Sequence, residues 1–172
     1  MMIDKKIPYW INTKFISDKR GSLYKFINHK VIKEIKFKLI EAQISEYKKN
    51  VFRGFYAQLG RSSEMKLIQL LEGKVFWFTI NLKKNKYYGK VDIFSLKKNK
   101  LLFVPKGYAH GSYSLDNSKV LVLANNIYNK KDYLGINYKD KNVFKKIKRY
   151  LKKKVIISNW HKSFKSLELH EK

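Results

Sequence analysis

The sequence predicts an all-β domain, a sandwich or barrel of the jelly-roll kind, with a short basic helix near the C-terminus. Three observations carry that prediction. Short apolar and aromatic runs dominate residues 1 to 128, recurring about every 8–12 residues as the strands of sandwiches and barrels do. Turn residues separate them, notably at Glu72-Gly73, at Lys97 to Lys100 and at Pro105-Lys106-Gly107. Beyond them, in "KNVFKKIKRYLKKKVII", Val143, Phe144, Ile147, Tyr150 and Leu151 recur at helical spacing while lysines take the other face.

Taken in order, "KFKLIEAQIS" alternates in part, with Phe37, Leu39 and Ile44 among charges, and reads as a strand. "KLIQLLEGKVFWFTINL" reads as two strands joined by a hairpin turn at Glu72-Gly73. "GKVDIFSLKKNKLLFVPKGYAHGSYSL" supplies further strands between its two breaks, and "SKVLVLANNIY" is a continuous apolar strand ending in a polar pair and a tyrosine. Residues 141–154 are expected to form a surface helix packed on the β-structure by its apolar stripe. No internal repeat or low-complexity linker divides the chain, so residues 1–172 are expected to form a single domain.

Composition bounds the function. Hydrophobic residues make up 44% and aromatics 15% of the 172 residues, enough for a sizeable core and unlike a disordered chain. The absence of cysteine excludes disulfides, thiolate zinc sites and a cysteine nucleophile. The opening "MMIDKKIPYW" lacks the apolar run of a signal peptide, and no stretch of about 18 apolar residues could span a bilayer, so a cytoplasmic protein is expected. A net charge of +26 invites a nucleic-acid partner, since clustered cations release counterions from phosphates. The excess, however, is nearly all lysine and runs from Lys5 to Lys172, with no zinc-finger, helix-turn-helix or RNP-type motif beside it. A diffuse positive field that attracts small phosphorylated anions fits better. His29, His110, His161 and His170 are scattered with no H-x-H pair, which argues against a metal site.

Three ordered segments resemble the nucleotide-sugar 3,5-epimerase family. "ISDKRGSLYKF" is similar to its D-x-R-G-x-F/L segment through Asp18, Arg20 and Gly21. "NVFRGFYAQ" and "MKLIQLLEGKVFWFTINLK" resemble its G-V-L-R-G-L-H-x-Q and K-L-V-x-V-x-x-G-x-V-F-D-V, with Lys66 thirteen residues after Arg53 and Gly73 seven after Lys66. "LLFVPKGYAHGSYSL" is similar to P-x-G-F-A-H-G-F, and Tyr128 lies seven residues before Gly135. The resemblance spans roughly residues 15 to 140. It implies a metal-free, cofactor-free cupin jelly roll (a double-stranded β-helix) working as a homodimer on a nucleoside-diphospho-4-keto-6-deoxy sugar in surface-glycan synthesis. It further implies Lys66 as the cation that stabilises an enolate and Tyr128 as the acid that returns a proton. Arg20 and Arg53 would hold the diphosphate or sugar, His110 would line the sugar pocket, and Gln58 and Gln43 are further substrate-binding candidates. Those chemistries suit the residue types. A fixed ammonium stabilises developing enolate charge, a phenol can exchange a proton with carbon, and forked guanidinium donors meet two phosphate oxygens at once.

Two positions depart from the pattern. Tyr56 stands where the family has the histidine base of R-G-L-H. In "VIISNWH", His161 stands where the family has the aspartate that holds that base. A neutral phenol is a poor base at pH 7 unless a nearby cation lowers its pKa. Three expectations follow: Tyr56 ionises beside Lys66 or His161 and acts as a weaker base, Tyr128 alone moves protons, or the site binds without turnover. A second resemblance, of "LVLANNIYNKKDYL" to the L-V-L-A-S-x-x-Y-x-x-x-D-Y-I segment of nucleotide-sugar 3,4-ketoisomerases, keeps ketone migration open. The lysine spacing and P-K-G-Y-A-H-G favour the epimerases.

Overall fold

The computed structural model describes residues 6–167. In chain order the elements are β1 (Tyr9–Asn12), β2 (Lys14–Asp18), β3 (Gly21–Lys25), helix α1 (His29–Ile35), β4 (Glu41–Tyr47), β5 (Phe52–Gln58) and β6 (Lys66–Glu72). There follow β7 (Val75–Asn81), β8 (Val91–Ser95), β9 (Lys100–Val104), β10 (Tyr108–Ser114), β11 (Ser118–Ala124) and β12 (Tyr133–Gly135). Two short helices, α2 (Lys141–Ile147) and α3 (Asn159–Lys162), close the chain.

Ten strands form two antiparallel sheets, ordered β1-β9-β6-β11-β4 and β12-β5-β10-β7-β8, and β2-β3 is a separate hairpin. Period-two alternation gives the inner strands of the first sheet two jobs. From the first sheet Ile68, Leu70, Leu102, Val104, Val120 and Val122 face inward and meet Val75, Trp77 and Tyr108 of the second, forming the core between the sheets. The alternate residues Leu67, Leu101, Phe103 and Leu123 face outward under α1, through Ile35, Val31 and Ile32. On the other outer face, Phe52, Phe55, Phe78, Ile80 and Tyr113 pack against Ile136, Tyr138 and α2 residues Val143 and Ile147. This two-sheet sandwich with helices at its flanks is the jelly-roll architecture that the turn spacing foretold.

Three local expectations are corrected. The Glu72-Gly73 turn does not close a hairpin: β6 pairs with β9 and β11, whereas β7 pairs with β8 and β10 in the opposite sheet. Gly73, at φ +79°, presses its backbone on the Asn117–Ser118 turn, and a side chain there would run into Ser118. That close approach requires the glycine at the crossing between sheets. Secondly, within "KFKLIEAQIS" only the part from Glu41 onward is a strand. The stretch before it begins with Lys36, the left-handed cap of the unexpected α1, whose other end is capped by Asn28 accepting from Val31 N at 3.1 Å. Thirdly, the expected helix 141–154 is shorter. Asp140 caps α2 by accepting from Asn142 N and Val143 N, each at 3.0 Å, and a 3-10 turn over Lys148–Tyr150 ends it. Leu151 is extended, Lys152 N donates to Tyr113 Oη at 3.2 Å, and three successive lysines follow that gain nothing from a helical pitch. The apolar stripe is nevertheless the packed face.

Candidate functional site

The inward faces of β4, β5 and β6, together with residues 156–161, enclose a cavity of about 490 Å³ at one end of the sandwich. A bulge in β5 shapes its floor. Arg53 pairs with Ser112 and Tyr56 with His110, so Gly54 and Phe55 together oppose the single residue Gly111. The extra residue returns Arg53 and Tyr56 to the same face although they are three apart. Gly54 sits at φ +104°, and a Cβ there would lie 2.7 Å from both Gly111 Cα and the His110 carbonyl oxygen, so the two backbones need glycine to approach.

Of the residues singled out in the sequence, Lys66, Tyr56, Tyr128, Arg53, Gln58 and Gln43 all line this cavity. Lys66, the first residue of β6, is only 6% exposed, and its Nζ lies 2.8 Å from Glu64 Oε1. Burial pushes the Glu64 carboxyl above its ordinary range, with the Lys66 charge opposing. Arg53 lies with its guanidinium carbon 4.6 Å from the centre of the Tyr47 ring and donates from Nη2 to the Glu46 carbonyl at 2.8 Å. These contacts fix the arginine's stem and leave its remaining donors for an anion. Tyr128 stands at the rim, 56% exposed, edge-on to Tyr133 at 5.6 Å. Gln58 also does a structural job. With its amide oriented to suit its neighbours, it donates to the Asn129 carbonyl at 2.9 Å and accepts from Asn129 N at 2.7 Å, anchoring the residue after Tyr128 to β5.

Two of the expected residues sit elsewhere. His110 is buried behind Tyr56, with ring centres 4.6 Å apart edge-on, and it stacks on Trp77 at 5.4 Å. Neither of its ring nitrogens has a hydrogen-bond partner among the described residues. Burial, and then the Lys66 charge, push its pKa well below the ordinary imidazole value, so it is a neutral wall. Arg20 lies at the β2–β3 turn, outside its own chain's cavity, with an 85% exposed side chain paired to Asp18 at 2.7 Å.

Tyr56 is held in an aromatic run. Tyr133 stacks on it at 5.8 Å, His161 at 6.3 Å, and Trp160 in turn covers Tyr133 at 5.2 Å. Burial is the main cause that pushes the Tyr56 phenol up; the Tyr47 and Glu64 charges add to it, and only Arg53 opposes. Its surroundings therefore oppose the ionisation that a phenolate base needs. Tyr133 is pushed up by burial in the same way. Residues 156–161 reach the cavity because Ile156 bonds across to the start of β5, donating to the Asn50 carbonyl and accepting from Phe52 N, each at 2.8 Å. Glu64, Tyr133, Trp160 and Ser158 escaped the sequence reading. Aromatics are plentiful throughout this chain, and nothing in their spacing separates pocket from core. The S-N-W-H start of α3, with Ser158 as a capping residue, was the available signal.

Comparison with known proteins agrees with this geometry. Residues 6–168 match the family model described as dTDP-4-dehydrorhamnose 3,5-epimerase. The dTDP-4-dehydrorhamnose 3,5-epimerase of Shigella flexneri is 31% identical over 138 residues, 76% of each chain. Among solved structures, the dTDP-6-deoxy-D-glucose-3,5-epimerase of Legionella pneumophila, in complex with dTDP-4-keto-L-rhamnose, superposes with a TM-score of 0.87 at 24% identity. The match covers 98% of this chain and 91% of that one. A 3'-monoepimerase mutant of Streptomyces bikiniensis, in complex with dTDP, gives 0.88 at 13% identity, covering 99% and 88%. The last two share the fold, and the family model with the 31% relative settles membership. The chain belongs to the dTDP-4-dehydrorhamnose 3,5-epimerase family.

Proposed function

We propose that the protein is a nucleotide-sugar epimerase that takes a dTDP-4-keto-6-deoxy sugar, and that the cavity beside Lys66 is its active site. The observation that carries this is the buried Lys66 ammonium facing the same cavity as the Tyr128 phenol. A proton next to a ketone leaves when the electron pair it abandons can spread onto the carbonyl oxygen. A fixed cation at that oxygen stabilises the enolate, and exclusion of water strengthens the effect. The Tyr128 hydroxyl then supplies a proton to the carbon, inverting it. Arg53 has donors to spare for the diphosphate, and Gln43 adds a polar group on β4. Membership in the epimerase family supports the substrate class.

A homodimer fits this reading. The β2–β3 hairpin leaves Phe15, Ile16 and Leu23 exposed, and Arg20 at its turn has no role in its own cavity. A two-fold partner would cover that apolar surface and bring Arg20 to the substrate's anionic end. The reaction would serve surface-glycan synthesis in the cytoplasm.

Incubation with 4-keto-6-deoxy nucleotide sugars in deuterated water, read by NMR, tests the reading. Deuterium entering at one or two carbons beside the ketone is expected. Migration of the ketone would instead assign a 3,4-ketoisomerase. Binding without exchange would assign a silent sugar-binding protein, the reading that Tyr56, in its ionisation-opposing surroundings, favours.

A further inference from the structure

Proton abstraction needs a group that is unprotonated at neutral pH and has a free lone pair facing the substrate space. Lys66 and Arg53 are cations, and burial pushes the Tyr56 and Tyr133 phenols away from ionisation. Glu64 spends an oxygen on Lys66 at 2.8 Å, where a proton on it would break the pair that the enolate-stabilising charge belongs to. His161 is different. Its ring lines the cavity and lies nearly parallel to Tyr56, at 6.3 Å and 22°. Ser158 holds it twice: Ser158 Oγ lies 2.7 Å from His161 Nδ1 and accepts from His161 N at 3.3 Å. In the tautomer whose Nδ1–H donates to Ser158 Oγ, the lone pair is on Nε2, which has no hydrogen-bond partner among the described residues. The segment is pinned on both sides, by the Ile156 bonds to β5 and by Asn137 Nδ2 donating to the Lys162 and Phe164 carbonyls at 2.9 and 3.1 Å.

We propose that His161, oriented by Ser158, is the catalytic base of this protein, so that the base is presented by the C-terminal segment instead of by β5. This inference rests on the epimerase reading above. His161 Nε2 takes the proton from the carbon beside the ketone, and the C–H electron pair becomes the enolate, whose oxygen faces the Lys66 ammonium. Tyr128 Oη gives its proton to the opposite face of that carbon. The imidazolium and phenolate left behind exchange with solvent, which returns one proton and removes the other. Burial first, and the Arg53 charge second, lower the pKa of His161, which keeps it in the accepting form at neutral pH.

Deuterium exchange into a dTDP-4-keto-6-deoxy sugar, measured beside a titration with dTDP, tests the assignment. His161→Gln should slow exchange by about a hundredfold or more while dTDP affinity stays the same, the usual cost of a lost general base. Added imidazole should restore part of the exchange in His161→Ala and none in Lys66→Met. Ser158→Ala should lower kcat with little change in KM, as a lost positioning contact does. Exchange in His161→Gln within about threefold of the unchanged protein overturns the assignment, as does a loss that only follows dTDP affinity. Loss of exchange in Tyr56→Phe with retention in His161→Gln would give the role back to Tyr56. Failure of the unchanged protein to exchange at all overturns the epimerase reading, and this assignment with it.

Discussion

The cavity has two walls of different construction. One is the sheet itself, where the paired strands β5 and β6 hold Arg53, Tyr56 and Lys66, with His110 and Trp77 behind Tyr56. The other is non-sheet chain, Tyr128 at the end of a loop and Ser158–His161 in a single helical turn, held by a few specific bonds. Burial on the sheet wall moves Tyr56 and His110 away from proton exchange near neutral pH. On the loop wall Tyr128 is open to solvent, and the groups proposed to move protons, Tyr128 and His161, are there. On the proposed reading the rigid wall would supply charge and shape and the loop wall exchangeable protons, a division in keeping with functional groups borne on loops over a rigid scaffold.

The largest effect should come from the sheet wall. Lys66→Met should lower kcat for exchange by about a thousandfold, because it removes the charge that meets the enolate. It also leaves Glu64 buried without its partner, so the thermal midpoint should be recorded beside the rate. A rate loss under tenfold would erase the distinction between the walls. Next, Gly54→Ala should destabilise the fold by about 3 kcal/mol in urea unfolding, since its Cβ meets the β10 backbone at positive φ. An equal loss from Ser158→Ala would show the loop wall to be as much a part of the scaffold.

The pH profile sharpens the comparison further. A base works in its deprotonated form, and a lowered pKa keeps that form present further into acid. The exchange rate should therefore hold through pH 6.5, the ordinary imidazole value, and fall about tenfold per unit only below the lowered one. Among the described residues, Arg53 is the charge that acts on this ring, Tyr56, Trp160 and Phe164 are the rings beside it, Ser158 is its hydrogen-bond partner, and the carboxyl of Glu64 in the same cavity is pushed above its ordinary range. The limb should persist in Glu64→Gln and vanish from the residual rate of His161→Gln. Last, Gln58→Leu should cost about three- to tenfold in kcat, by loosening Asn129 and the Tyr128 beside it. Gln58→Glu keeps the volume but sets a carboxylate oxygen against the Asn129 carbonyl, so a loss as large as that of Gln58→Leu would speak for the hydrogen bonds over the volume.

Much of this was legible in the residues. Strand positions followed from alternation, and the resemblance of the segments around Arg53, Lys66 and Tyr128 to the epimerase motifs brought three pocket residues together before any coordinates. What failed was pairing. A Glu-Gly turn is a local signal, and whether the chain turns back on β6 or crosses to the facing sheet depends on Ser118 and Asn117, forty-five residues later. Helix length failed for a similar reason, since the Tyr113 hydroxyl that receives Lys152 N is distant in sequence. His110 looked like a pocket residue because its motif is nearly complete, yet Tyr56 stands in front of it. His161 looked like a substitute for a supporting carboxylate. Only the parallel stacking on Tyr56 and the bond to Ser158 show it as a group with its own support.

The bulge at Gly54-Phe55 has a consequence for how such a site can change. Because two residues there answer one on β10, the strand reverses phase in its middle, and Arg53 and Tyr56 belong to separately registered halves. On the proposed reading, the half before the bulge would grip an anion through Arg53, and the half after it would set Tyr56 under the reacting carbon. Replacement of a residue in one half leaves the facing of the other untouched. With Tyr56 in place of a proton acceptor, a strand built this way would still deliver substrate to the proposed base, His161, which arrives from another part of the chain.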